Sequence, residues 1–178
     1  MNIITLPIFP EDAAELRKIH KASGVHKLGS SPSAIQRWFY KHILGRSNGY
    51  SVSTKTDDQT QHIVDIAKKY LSQIQVNVEG GTYAEVLCHH VYVDEYTKVD
   101  CPTLSLDSLR HQPAYHVYFM LRKEASSGGH LLDISTVRSH ELDVNMVGIV
   151  LPNCSYQMQY FEGQGDAQFI FVCLRKFS

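Results

Sequence analysis

The sequence lacks the features that most quickly assign a chain to a class. No apolar run approaches the roughly 20 residues of a membrane span. The opening Met-Asn-Ile-Ile-Thr-Leu-Pro has neither a basic head nor a long apolar stretch, so no secretory leader is expected. Charge of one sign is not in excess: 17 Lys and Arg stand against 18 Asp and Glu, a formal net charge of −1. No long-range field therefore recruits nucleic acid or anionic lipid. Cysteine is sparse and scattered, at Cys88, Cys101, Cys154 and Cys173, with no CxxC pair. That spacing excludes a zinc ribbon and a thioredoxin-type site and fits reduced thiols in a cytoplasmic protein. The Asn153-Cys154-Ser155 sequon then has no role. Catalytic signatures are missing too: no G-x-S-x-G elbow, no HExxH and no phosphate-binding glycine loop. Neither an internal repeat nor a low-complexity linker divides the chain.

What is present fits one domain. The 178 residues, 43% apolar and 20% charged, suffice for a full hydrophobic core. Residues 1–80 read as a mainly helical layer and 81–178 as a β-rich core. Ile3 to Phe9 is a short leading strand interrupted by Pro7. Pro10 opens a helix whose first turn holds Glu11 and Asp12, with Ala13, Leu16 and Ile19 at helical spacing and Gly24 as its stop. Ser31 and Pro32 begin a second helix that Gly45 ends. It carries Trp38 and Phe39 beside Arg37 and Lys41, read as core packing and not as a nucleic-acid surface. Tyr50, Val52 and Thr54 alternate as in a strand. Ile63, Ile66, Ala67, Tyr70, Leu71 and Ile74 mark a third helix starting at Asp57 or Asp58.

After Gly80-Gly81 the pattern changes. Thr82–Val93, Tyr115–Arg122, His130–Ile134, Met146–Leu151, Tyr156–Phe161 and Gln168–Leu174 read as strands, and Gly163-Gln164-Gly165-Asp166 as a hairpin turn. Residues 95–113 are irregular and read as a long loop. Phe169, Ile170, Phe171 and Val172 are apolar in succession, as in a strand buried on both faces. Helices followed by antiparallel strands predict an α+β fold, with N-terminal helices packed on a double-stranded β-helix, a jelly-roll-like pair of sheets.

Ten histidines call for a search for metal ligands. His89 and His90 are adjacent in a strand and point to opposite faces. His90 and Asp94 share a face but lie about 13 Å apart along it. Structural roles are expected for His90, His116 and His130, and spacing alone assembles no facial triad.

The stretch from Tyr115 through Met120-Leu121 to Gly128-Gly129-His130-Leu131 resembles the core of the Fe(II)- and 2-oxoglutarate-dependent oxygenases. So does Val147-Gly148-Ile149-Val150-Leu151-Pro152, running on to Gly165 and Phe171. The resemblance implies a double-stranded β-helix in which a His-x-Asp or His-x-Glu motif and a distal histidine hold iron, and an arginine holds the cosubstrate carboxylate. This chain departs from that pattern. No histidine has an acidic residue two positions on, and the place for the motif reads Cys101-Pro-Thr-Leu-Ser-Leu-Asp107. The distal histidine position falls near Gln157 and the arginine position near Gln168. Glutamine is a poor iron ligand and cannot pair bidentately with a carboxylate.

Three readings follow. In the first, the domain keeps the fold without the oxygenase site, holds no metal or cofactor, and serves as a binding or assembly module for a protein partner or for itself. In the second, the alignment slips by a few residues; His90, His116 or His130 then ligates a metal in an atypical Fe(II)/2-oxoglutarate oxygenase or cupin-like enzyme. In the third, the chain is a structural jelly-roll subunit. A pocket between the β layers would have Tyr118, Gln157 and Gln168 near its mouth.

Overall fold

The computed structural model describes residues 1–25, 50–54, 58–78, 82–93, 114–124, 127–159, 161–163 and 165–176. The second helix expected over 31–45 and the irregular stretch 95–113 lie outside these residues. Chain order runs β1 (Ile3–Pro7), α1 (Pro10–Ala22), β2 (Tyr50–Thr54), α2 (Asp58–Gln73), β3 (Thr82–Val93) and β4 (Ala114–Lys123). Then come β5 (Leu131–Asp133), β6 (Arg138–His140), β7 (Met146–Val150), β8 (Tyr156–Met158) and β9 (Gly165–Lys176).

The strands form a six-stranded sheet, β1-β7-β4-β9-β3-β2, and a three-stranded sheet, β6-β5-β8. Every ladder is antiparallel. The two leading strands of the chain thus become the two edges of the large sheet. The expected α+β double-stranded β-helix is the fold observed. None of the described helices is long and apolar enough to cross a membrane.

The large sheet is buried on both faces, which explains the unbroken apolar run in β9. Ile170, Val172 and Leu174 pack on the helix side with Leu16, Ile63, Tyr70 and Phe119. Phe169, Phe171 and Cys173 point the other way, into a core with Tyr118, Leu131, Met158 and Phe161. This is the period of two that every strand imposes.

The helix layer is fixed by polar contacts at its edges. Pro10 takes the first position of α1, and Asp12 in that turn is buried. Its carboxylate accepts hydrogen bonds from the Tyr70 hydroxyl and the Lys69 ammonium, each at 2.8 Å. Arg17 reaches from α1 to the Leu121 carbonyl at 3.0 Å and to Asn145. Leu121 sits where the β4–β9 register shifts, so the arginine braces a bulge. Gly24 ends the α1 segment at φ +71°, a left-handed conformation that glycine adopts without strain.

Two details differ from the sequence reading. Arg138–His140, expected as a polar connection, is a short strand paired to β5. Its polar, largely exposed residues carry no alternation that would announce it. And β9 starts at Gly165, inside the expected turn, because Gly165 pairs with Val93 across the ladder.

Candidate functional site

The space between the two sheets is built mainly from β4, β8 and β9. Along β4, Val117, Phe119 and Leu121 face the helices, while Tyr118 and Met120 face the small sheet. His116 shares that second parity and lies edge-on to Phe171 at 5.3 Å between ring centroids. Along β8, Tyr156 packs into the inter-sheet core, Met158 is buried there, and Gln157 between them is exposed.

In this space three side chains meet. His116 Nδ1 lies 2.6 Å from the Tyr156 hydroxyl, and the Tyr118 hydroxyl lies 2.6 Å from it on the other side. Cys173 pairs with His116 across the β4–β9 ladder, and Arg175 pairs with Ala114 one step further out. Burial, reinforced by the Arg175 charge, pushes the His116 pKa down to about 4. Burial also holds the Tyr156 phenol well above its ordinary range, with the Tyr118 hydroxyl adding to the shift. The Cys173 thiol is pushed up to about 11, again chiefly by burial. Near neutral pH the His116 ring, the Tyr156 phenol and the Cys173 thiol are therefore uncharged. They can exchange hydrogen bonds, but they offer neither thiolate nor carboxylate to an ion.

Next to this cluster the rings pack on one another. Tyr118 packs on Phe171 at 4.9 Å and on Phe169 at 6.1 Å. Phe169 stacks on His89 at 4.4 Å and 8° and lies 6.5 Å from Phe161. Phe161 in turn lies against Gly129, where an added Cβ would come within 2.5 Å of the ring. The Gly128-Gly129 pair thus provides both positive φ and room for an aromatic wall.

The residues singled out from the sequence are distributed as follows. Tyr118 bonds the Tyr156 hydroxyl. Gln157 faces solvent, and Gln168, paired with His90, lies on the helix side of the large sheet. His90 is there too, 3.3 Å from Asp166. His116 lies on the inter-sheet face, against Tyr156. His130 accepts a hydrogen bond from the Leu142 N–H at 3.2 Å, beside Lys123, Asp143 and Glu141. His90 and His116 are thus on opposite faces of one sheet. Among the described residues no three His, Cys, Asp or Glu side chains are placed to hold a metal ion. Tyr156 and Arg175 were not singled out. The alternation Tyr156-Gln157-Met158 was the available signal for Tyr156, since it sets Tyr156 with Met158 and against Gln157.

No protein-family profile matches the sequence, and no curated protein does. Solved structures do match. The viral collagen prolyl hydroxylase of Paramecium Bursaria Chlorella virus-1, in its 2OG complex, superposes with a TM-score of 0.59 at 8% identity, over 100% of this chain and 97% of that one. A prolyl hydroxylase from Trichoplax adhaerens, bound to a hypoxia inducible factor oxygen degradation domain peptide fragment, gives 0.60 at 8% identity, over 98% of this chain and 84% of that one. HygX from Streptomyces hygroscopicus, with nickel and 2-oxoglutarate, gives 0.59 at 9% identity, over 98% and 83%. The chain has the double-stranded β-helix fold of the Fe(II)/2-oxoglutarate oxygenases. At such low identity the likeness speaks for the fold alone.

Proposed function

We propose that this chain is an oxygenase-fold domain without iron chemistry, acting as a binding or assembly module for a protein partner or for its own copies. The observation that carries the proposal is the filling of the inter-sheet space. The resemblance puts the distal metal ligand near Gln157, and the residues there that face the interior are Met158, in the apolar core, and Tyr156, hydrogen-bonded on both sides. It puts the cosubstrate arginine near Gln168. The interior-facing neighbours there are Ala167 and Phe169, both in the inter-sheet core. An aromatic ring packed between rings cannot supply the charge-assisted bond that holds a carboxylate. The absence of any His-x-Asp or His-x-Glu in the sequence points the same way. Among the described residues these features support the reading without iron and 2-oxoglutarate.

The competing reading, an atypical Fe(II)/2-oxoglutarate enzyme, draws support from the metal- and 2-oxoglutarate-bound structures that share the fold. Anaerobic calorimetry decides between them. Metal-free protein is titrated with Fe(II), with and without 2-oxoglutarate. The module reading expects no stoichiometric binding of either. Stoichiometric Fe(II) binding that tightens with 2-oxoglutarate overturns it.

A further inference from the structure

We infer that a side-chain latch ties the two sheets together, in which Tyr156 of the small sheet is held between His116 and Tyr118 of the large one. The inference rests on the module reading, because the latch occupies the β8 stretch to which the resemblance assigns a metal ligand.

Among the described residues no backbone ladder joins the six-stranded sheet to the three-stranded one. The described contacts between β4 and β8 are made by side chains. Within the small sheet β8, Tyr156–Met158, pairs with β5, and backbone bonds from the Ile134 N–H to the Ser155 carbonyl and from the Gln159 N–H to the His130 carbonyl extend that pairing at both ends. His116 and Tyr118 are two apart on β4 and so project from one face. A phenol arriving from the opposite sheet can meet both, and the Tyr156 hydroxyl does so at 2.6 Å on each side. The order of protons is consistent in either direction. Tyr118 donates to Tyr156 and Tyr156 to His116 Nδ1, or His116 donates to Tyr156 and Tyr156 to Tyr118.

The rings are braced as well as bonded. Tyr156 meets His116 edge-on at 5.6 Å and Tyr118 edge-on at 6.1 Å. Tyr118 is backed by Phe171 at 4.9 Å. Moving Tyr156 aside would break two partly buried hydrogen bonds and two aromatic contacts together, so the latch holds or opens as a unit.

Tyr156→Phe tests this, because it keeps the ring and removes both bonds. Metal-free Tyr156→Phe is expected to melt roughly 5 to 10 °C below wild type, and Tyr118→Phe, which loses one bond, by less. The double variant is expected to fall short of the sum, since both changes act on one network. Amide hydrogen exchange supplies the readout that general destabilisation would not move. Protection should fall in β5 and β8 of Tyr156→Phe before it falls in β3 and β9. If Tyr156→Phe melts within about 1 °C of wild type, or loses protection evenly across both sheets, there is no latch, and the module reading stands. If Fe(II) raises the melting point of wild type, an ion enters the barrel and the module reading fails as well.

Discussion

At the scale of single residues, parity on a strand decides what each side chain can do. Gln157 and Tyr156 are neighbours, yet one is in water and the other is half-buried against the inter-sheet core. Gln168 and Phe169 divide in the same way, one toward the helices and one into the inter-sheet core. A register offset of one residue exchanges the two roles completely. Gly129 shows how tightly the interior side is filled. It sits at φ +71°, and a Cβ there would lie 2.5 Å from the Phe161 ring. Gly129→Ala is therefore expected to lower unfolding free energy by about 2 to 4 kcal/mol, combining overpacking with left-handed strain. Urea unfolding followed by circular dichroism measures it, and a cost under about 1 kcal/mol would mean that the Phe161 wall yields easily.

At the scale of elements, the helix layer is attached through a few buried polar anchors. The Tyr70 hydroxyl of α2 donates to Asp12 and accepts from the Phe9 N–H at 2.8 Å, so it completes the first turn of α1. Phe9 itself brings no side-chain cap. In Tyr70→Phe the Phe9 N–H loses its acceptor, and the buried Asp12 carboxylate keeps Lys69 but loses a donor. The expected cost is about 1 to 3 kcal/mol. Thermal unfolding would register it, and an unchanged midpoint would show that water replaces the hydroxyl at no loss. The same reasoning explains why the period of α2 was legible in advance. Ile63, Ile66, Ala67, Tyr70 and Leu71 are all buried, at the three- and four-residue spacing that one helix face requires. The short strand β6 was not legible, since three polar residues paired by a hairpin carry no hydrophobic period.

At the scale of the whole molecule, two neutral histidines on the inter-sheet face of the large sheet make stability depend on pH. Burial pushes His89 down to about 3, with the nearby His20 adding to the shift, and burial with Arg175 pushes His116 down to about 4. Both values lie below the ordinary histidine value near 6.5 that the unfolded chain retains. Above that value both states are neutral and the stabilisation is complete. As the pH falls below it, the unfolded chain takes up protons that the fold refuses, and stability is lost progressively down to the folded values. The loss by about pH 5 is on the order of 2 kcal/mol per histidine. Urea midpoints at about pH 7 and about pH 5 should therefore differ, and His89→Phe should reduce the difference. Equal midpoints in wild type would mean that the interior admits the proton. Asp133, held low chiefly by its hydrogen bond from Ser135, acts only in the more acid range.

The sequence by itself determined the helical and strand periods, the two-sided burial of β9 and the order of helices before strands. These follow from local spacing, because a face repeats every 3.6 residues in a helix and every two in a strand. It also carried the missing His-x-Asp and the Gly128-Gly129 turn. Only the tertiary structure decided which residues meet. His116 and Tyr156 are 40 positions apart, and Tyr118 and Tyr156 are 38 apart. Nothing in the spacing of either segment states that β4 and β8 lie on facing sheets, since that depends on how all the ladders close. For the same reason, the alternation Tyr156-Gln157-Met158 could set Tyr156 with Met158 but could not say which side chains of the facing sheet it meets, since that depends on register and on burial against that sheet.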